Sequence, residues 1–372
     1  MPPVTVTNRT VPGYLIGHAA QGEAGGATAS ITSLPLPTVF PANTVHLVGG
    51  KGFTLALTSG GEVWGWGDNR HGQLGDGTKQ PSGLTPRRVK IPDGRPVVAV
   101  DAAGHHAAAV TVDGDVFAWG GGSAGWLAPS SNTDHLLPVW VRLPGDHQGA
   151  TVAVGARHLV ILSATGEVVG LGDNTCGQLG GPRHRFADAQ VLPNLPTQAT
   201  AISAGGYHSL IVTGGDTTHL LGQLGANQPA SPGFGIRLET EQVVAVSSGV
   251  SHAVALTRGG QVREWRDSAS VDRTSRSFTD PLSPAQVRVP RQVTAISAAG
   301  TSSIALDDDG SVWTWGIADR WVGPGESAAA VQPHEMSALR HASVTSVAAT
   351  DDHLMVAVRP AGRHLILPKG RR

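Results

Sequence analysis

The sequence predicts an all-β chain, a seven-bladed β-propeller of four-stranded antiparallel blades whose ring is closed by pairing the N- and C-terminal segments. Three observations predict it. Short apolar runs of strand length alternate with Gly-rich gaps along all 372 residues. The pattern returns about every 50 residues, with units starting near Val45, Val98, Val152, Ala201, Val244, Thr294 and Val344. The composition, Gly 50 and Pro 25 with only 15% charged residues, suits short strands and tight turns, not helices.

The best-preserved copy runs from Thr44 to Thr78. Its first strand is Val45–Val48, its second Phe53–Leu57 and its third Val63–Trp66. Gly49-Gly50 and Ser59-Gly60-Gly61 separate them, and the polar Gly72-Gln73-Leu74-Gly75 follows. In later units a small-residue turn usually ends in histidine before the second strand: His106, His158, His208 and His252, with Phe53 and Ser302 at the matching places. Links such as Asp113-Gly114 and Gly259-Gly260 suit hairpins that need positive φ. Third strands end in Trp66, Trp119, Trp265 and Trp315. Pro86–Val89 and Pro138–Val141 read as fourth strands at a sheet edge, where a missing N–H does no harm. One such sheet cannot bury both faces alone. Stacked radially, the sheets cover one another, with small residues at the crowded centre and Trp in the wider space between blades. Residues 1–372 are expected to form one propeller domain.

The two ends complement each other. Tyr14–Gly17 and Gly22–Gly25 match Trp64–Gly67 and Gly72–Gly75 at a constant offset of 50. The C-terminus supplies two opening strands, Val344–Ala348 and Leu354–Val358. Residues 12–40 therefore complete the last blade and remove exposed edges. Arg363–Leu367 also has the pattern of a third strand and competes with Tyr14–Gly17 for that place.

The combination V-x-V-x-x-G-x-x-H-x-x-A-L, D-G-x-V-x-x-W-G and G-Q-L-G resembles the regulator of chromosome condensation repeat family. The likeness covers nearly the whole chain. It is close at Val45–Thr78, fair at Val98–Gly125 and Val152–Gly180, and eroded later. Unit four is short, unit five lacks Gly-Gln-Leu-Gly, and unit six has Trp321-Val322-Gly323 instead. The resemblance implies a seven-bladed propeller. It also implies a choice of activities: nucleotide exchange on a small GTPase with chromatin binding, UV-B sensing through tryptophans, or the gripping of a β-lactamase by one face. The chain has no basic N-terminal tail and no Gly-Trp-Arg-His-Thr motif. Its 23 Arg to 4 Lys and its Ala- and Gly-rich character point to a bacterial source.

The formal net charge of -1 implies no field that would steer nucleic acid. No apolar run reaches the ~20 residues that span a bilayer, so no membrane partner is expected. The single cysteine, Cys176, excludes an internal disulfide framework and reads as a turn residue, with no activating partner beside it. The N-terminus lacks the charged start and apolar core of a signal peptide. A cytoplasmic monomer without cofactor is expected, or a secreted one where a leader has been trimmed away.

Candidate chemistry is sparse. Gly121–Gly125 matches the G-x-S-x-G nucleophile pattern at Ser123, but runs toward Pro129 and not into the helix that the motif needs. His106, His158, His208 and His252 could converge on a metal, although a framework position repeated in each unit predicts the same pattern. Asp351, Asp352 and His353 replace the Gly-rich turn of the last unit and form the best acid–base candidate, against the reading of an exposed polar turn. The insert loops carry Trp126, Arg263, Arg266, Arg273, Arg276, Arg320 and Trp321. Trp and Arg are the usual anchors of interfaces, and loops on a rigid scaffold are where recognition resides. The bland alternative puts Trp126 and Trp321 in the Leu slot of Gly-Gln-Leu-Gly. The expected function is a non-catalytic propeller that holds a protein partner with loops on one face. The alternatives are an enzyme acting on a small molecule in an axial or loop-built pocket, and exchange on a small GTPase.

Overall fold

The computed structural model describes residues 10–18, 31–122, 133–185, 187–193, 195, 198–214, 217–224, 236–239, 242–266, 284–316 and 332–358. Seven four-stranded antiparallel sheets are present. Blade one is β3 (Thr44–Gly50), β4 (Phe53–Thr58), β5 (Val63–Gly67) and β6 (Gly83–Arg88). Blade two is β7 (Val97–Ala103), β8 (His106–Thr111), β9 (Val116–Gly120) and β10 (His135–Val141). Blade three is β11 (Gly149–Val154), β12 (His158–Ser163), β13 (Val168–Gly172) and β14 (Ala187–Val191). Blade four is β15 (Ala199–Ala204), β16 (Tyr207–Thr213), β17 (Thr217–Gln223) and β18 (Ile236–Glu239). Blade five is β19 (Val243–Ser248), β20 (His252–Thr257), β21 (Val262–Arg266) and β22 (Ala285–Val287). Blade six is β23 (Val293–Ala299), β24 (Ser302–Asp307), β25 (Val312–Gly316) and β26 (His334–Glu335).

Blade seven joins the two ends of the chain. Its sheet order is β2-β1-β28-β27, with β1 (Thr10–His18), β2 (Ile31–Pro41), β27 (Val344–Ala349) and β28 (His353–Val358). Tyr14 pairs with Val356 and Gly17 with His353, so Tyr14–Gly17 supplies the third strand. That settles the competition with Arg363–Leu367, which lies outside the described residues. The first strands touch in a closed circuit, β3 to β7, β11, β15, β19, β23, β27 and back to β3.

Burial follows the repeat. Second strands read as unbroken buried runs, as in Phe53–Thr58 and His353–Val358, with Tyr207 at the start of β16 the one exposed residue, because each has a blade on each side. Each core cluster is shared by two neighbouring blades. Trp119 of blade two packs with Leu55, Leu74 and Val89 of blade one, and Trp66 of blade one packs with Leu15, Phe40 and Met355 of blade seven. Fourth strands lie at the rim, and the sheet order puts β10, with Pro138, at the edge of blade two.

The Trp-Gly pair has a backbone reason. Gly67, Gly120, Gly172 and Gly316 take φ of +103, +101, +100 and +137, which side-chain-bearing residues avoid. A Cβ at Gly120 would also collide with the carbonyl oxygen of His105, and one at Gly67 with that of Gly52. The glycine lets the end of the third strand lie against the turn before the second. Gly120→Ala is expected to destabilise the protein by about 1–3 kcal/mol, read as a lowered midpoint in urea unfolding with an unchanged slope.

Candidate functional site

Chain direction sorts the loops. First-to-second-strand turns and third-to-fourth-strand connections leave from one face, because His252 pairs with Arg266 and His106 with Gly120. The second-to-third hairpins occupy the other face. The first face therefore gathers the seven axial turns, the Gly-Gln-Leu-Gly loops of blades one and three, and the ends at Gly122, Leu224, Arg266 and Gly316 from which the connections of blades two, four, five and six leave.

The intact loops are built by one asparagine each. Asn69 Nδ2 donates to Asp76 Oδ1 (3.1 Å) and to the carbonyls of Thr78 and Gln80, while its Oδ1 accepts Leu74 N–H at 2.9 Å. Asn174 repeats this with Gly180, Pro182 and Leu179. Cys176 sits in the second loop, its N–H donating to Gln178 Oε1 at 2.9 Å, as His71 donates to Gln73. The loop carbonyl of Gln73 accepts Trp119 Nε1–H of the next blade at 2.9 Å.

The recurring histidines are clasps between neighbouring blades. His158 Nε2 meets Ser209 Oγ at 2.9 Å, and His252 Nε2 meets Ser303 Oγ at 2.9 Å. Ser209 donates its own proton to Gln178 O (2.8 Å), which leaves His158 Nε2–H as the donor. His106 Nε2 reaches Ala156 O at 2.8 Å. The Gly-x-x-His spacing follows, since a Cβ on Gly155, Gly205 or Gly249 would collide with the ring of His158, His208 or His252. The histidines are thus spread round the ring, and His106, His158 and His252 are each spent on the neighbouring blade. Among the described residues no group of three or more His, Cys, Asp and Glu is placed to hold a metal ion. His208 is the exception to the clasp. Blade five offers Ala253 where blades four and six offer serine, and both ring nitrogens of His208 are buried without a hydrogen-bond partner. Burial pushes His158, His208 and His252 down to about 3 and His106 to about 4.

Asp351, Asp352 and His353 form the seam of the ring. His353 Nε2 contacts Thr54 Oγ1 of blade one at 2.9 Å, and its Nδ1 lies 2.8 Å from Thr350 Oγ1 and 3.0 Å from Asp352 Oδ1. Asp352 Oδ1 accepts Gly52 N–H of blade one at 3.2 Å, and Asp351 Oδ2 accepts Gly104 N–H of blade two at 2.9 Å. Both ring nitrogens and both carboxylates of the proposed acid–base group are engaged in closure. The exposed-turn alternative does not describe His353, which is 1% exposed.

The loop candidates divide. Trp126, Arg273, Arg276, Arg320 and Trp321, with Ser123, lie outside the described residues. Arg263 is half-buried on β21, its Nη2 3.4 Å from Gln261 Oε1. Arg266 is turned inward: it donates to Glu264 Oε1 at 2.6 Å, with side chains only 10% and 5% exposed. Glu264 Oε1 also accepts Trp315 Nε1–H of blade six at 3.1 Å. Blade five has no Gly-Gln-Leu-Gly carbonyl to hold the neighbouring Trp, so Glu264 takes that role and Arg266 neutralises it.

Two features escaped the sequence reading. One is Glu264, whose signal was a carboxylate inside Val-Arg-Glu-Trp where other units carry Gly, Ala, Thr or Leu. The other is Asp101 in the apolar strand β7. First-strand residues surround an axial cavity of about 540 Å³. Asp101 Oδ2 accepts Val154 N–H of the next blade at 2.7 Å, just as Ser247 Oγ accepts Ala298 N–H (2.9 Å) and Ser297 Oγ accepts Ala349 N–H (3.0 Å). Burial pushes Asp101 up to about 7 against the N–H groups of Val154 and Ala102. Burial also raises Asp351.

The blades, their repeat motif and their seam define a class. The family model of the RCC1-like domain matches residues 13–356, so the chain belongs to the RCC1-like propeller family. It is 28% identical over 294 residues to the ultraviolet-B receptor UVR8 of Arabidopsis thaliana, covering 78% of this chain and 57% of that protein. The chain thus spans little more than half the length of this relative. It is 26% identical over 404 residues to the regulator of chromosome condensation of Mus musculus, covering 97% of this chain and 91% of the other. The crystal structure of Prp20p from Saccharomyces cerevisiae superposes with a TM-score of 0.78 at 18% identity, covering 96% and 93% of the two chains. At that identity the likeness speaks for the fold alone. Among the described residues no helix is long and apolar enough to cross a membrane.

The clasp makes a quantitative expectation. Ala253→Ser supplies the hydroxyl that His208 lacks and should raise stability by about 1 kcal/mol, whereas Ser303→Ala should lower it by about 1–3 kcal/mol by orphaning His252. Urea unfolding of the two variants beside the parent checks both signs. The pH dependence follows from the same histidines. Their folded values lie below the free value of 6.5, so the unfolded chain binds protons first as pH falls. Their contribution is complete above 6.5 and is lost on the way toward 3–4. Asp101 works in the opposite sense, its ionisation costing stability between 3.8 and about 7. Asp351, also raised by burial, acts in the same sense as Asp101; four histidines outweigh two carboxyls, so the melting temperature should fall steadily from about pH 7.5 to about pH 5, by calorimetry at constant ionic strength.

Proposed function

We propose that this protein is a non-catalytic propeller that binds a protein partner on the face carrying the third-to-fourth-strand connections. The observation that carries this reading is the fate of the polar side chains. All but His208 of the described histidines and acids that suggested catalysis or metal binding are engaged in holding blades together. The departures from the repeat, by contrast, fall at connections leaving one face, after Gly122, Leu224, Arg266 and Gly316. A rigid ring with variable loops on one side suits recognition. The roots of the first insert are polar and closely set. The His71 ring lies 4.6 Å from that of His105 at a 45° tilt, and its Nδ1 lies 3.5 Å from Asp134, which pairs with Lys79 at 2.6 Å and accepts Gly122 N–H. The structure of Prp20p is described with binding of that protein to Gsp1p and histones, which supports protein recognition by a propeller of this shape.

The test separates recognition from scaffold. Pull-down from cells of the source organism with the combined Arg273→Ala, Arg276→Ala and Arg320→Ala variant should lose the bound protein while its melting temperature is kept. Arg266→Ala should instead lower stability by about 3–5 kcal/mol, because it leaves Glu264 buried without a countercharge. A partner held equally well by the loop variant, and by Trp126→Ala with Trp321→Ala, would refute the reading.

A further inference from the structure

The axial cavity contains a puzzle of charge. Its wall is made of small residues from all seven first strands, and no Lys or Arg is among its lining residues. Two carboxyl groups face it. Asp101 keeps a partly accessible edge there, although Ser247 and Ser297 perform the same clip on the next blade with a neutral hydroxyl. The framework therefore does not account for a carboxylate at this place. Asp351 lies at the end where the turns converge, since it bridges from blade seven to Gly104 of blade two across blade one. Neighbouring turns at that end are tied by Lys51 N–H to Gly104 O (2.6 Å), Ala156 N–H to Gly205 O (3.0 Å) and Val250 N–H to Gly300 O (2.7 Å). Asp101 stands three residues before Gly104 on the same strand, so the two carboxyls are separated by about 10 Å along the axis. A single metal ion cannot join groups that far apart. Thr151, Ser203, Ser247 and Ser297 add neutral polar groups to the wall.

We infer that this cavity binds a linear aliphatic diamine, with one ammonium group at Asp101 and the other at Asp351. The methylene chain lies against Val100, Val152 and Ile202, and the ammonium groups supply the cations that the wall lacks. Binding is linked to protons. The strands packed against β7 contribute few titratable groups: His46 on β3, held neutral by burial, and His106 on β8, also lowered, with none on β4 or β11. Asp351 is flanked by Asp352 and His353. Asp101, at about 7, is the group that ionises in the neutral range, so affinity rises as pH passes through it.

The experiment is isothermal titration of the full chain with 1,5-diaminopentane, with 1-aminopentane as the one-ended control. Saturable binding is expected at about pH 8, weaker by roughly tenfold or more at about pH 5.5. The monoamine should bind at least roughly tenfold more weakly, because it satisfies one carboxylate only. Asp101→Ser should abolish the pH dependence and lose roughly tenfold or more in affinity while retaining the fold, since serine makes this clip in blades five and six. Asp101→Asn, which keeps the acceptor for Val154 N–H, serves if the serine variant does not fold. No binding at about pH 8, an affinity indifferent to pH, or undiminished binding by both Asp101 variants would each overturn the inference. Partner capture by the loop face is read separately, so either idea can fail alone.

Discussion

A blade of this protein has two apolar faces and only two neighbours, and everything else depends on each face finding one. Second strands such as Leu159–Leu162 and Leu354–Val358 are buried along their length. Left on an open end of the array, such a strand would expose several large side chains at ~1.5–3 kcal/mol each. The seam between blades seven and one is therefore the decisive contact. It is made by side chains nearly 300 residues apart, His353 with Thr54 and Asp352 with Gly52. The chain makes the seam doubly secure by placing it inside a sheet as well: β1 pairs with β28, so backbone hydrogen bonds join the two ends of the chain before any blade-to-blade packing is counted.

The inter-blade contacts are variations on one device. A group at the start of one second strand reaches forward to the next blade, and a Trp on the third strand reaches back. Where the sequence of one blade drifts, its neighbour must answer. Glu264 is such an answer. Blade five lacks the Gly-Gln-Leu-Gly sequence, and the indole of Trp315 donates instead to a buried carboxylate, at the cost of a buried guanidinium beside it. His208 shows the drift unanswered, with alanine facing it.

Architecture was legible in the sequence because a repeat states it seven times. Period and turn glycines mark the units, with a third-strand Trp in four of them, and the offset of 50 between Tyr14–Gly25 and Trp64–Gly75 proposed one strand to close the ring beside the rival Arg363–Leu367, which only the pairing of β1 with β28 decided. The site was less legible for a physical reason. Residue type announces chemistry, but a propeller uses the same types as fasteners. Asp351-Asp352-His353 has the composition of an acid–base group, yet closure engages all three side chains, which only the partners Thr54, Gly52 and Gly104 reveal. Arg266 read as a loop anchor because its buried partner, Glu264, is two residues away and passes for part of the strand. Asp101 went unnoticed for the opposite reason. In an apolar strand a lone Asp looks like an edge residue, and only the closed ring turns that position into the wall of a cavity.

Scaffold and recognition are thus separated by the geometry of the repeat. Residues whose neighbours lie in the next blade are constrained from both sides, and changing one orphans a buried partner. The Gly-Gln-Leu-Gly connections of blades one and three do hold the next blade, through Gln73 O and Gln178 O, but Glu264 shows that a substitute on the strand can take over that contact, so the motif can be lost without opening the ring. The axis is intermediate. Its first strands touch both neighbours, but their inner edges face one another across empty space, and a side chain there can change if its backbone clip survives. Serine, alanine and aspartate all occur at this level, in Ser247, Ala153 and Asp101. Of these, only the aspartate brings an acid that the clip does not require, and a carboxyl facing a cavity without a countercharge stays protonated up to about neutral pH unless a cation from outside supplies one.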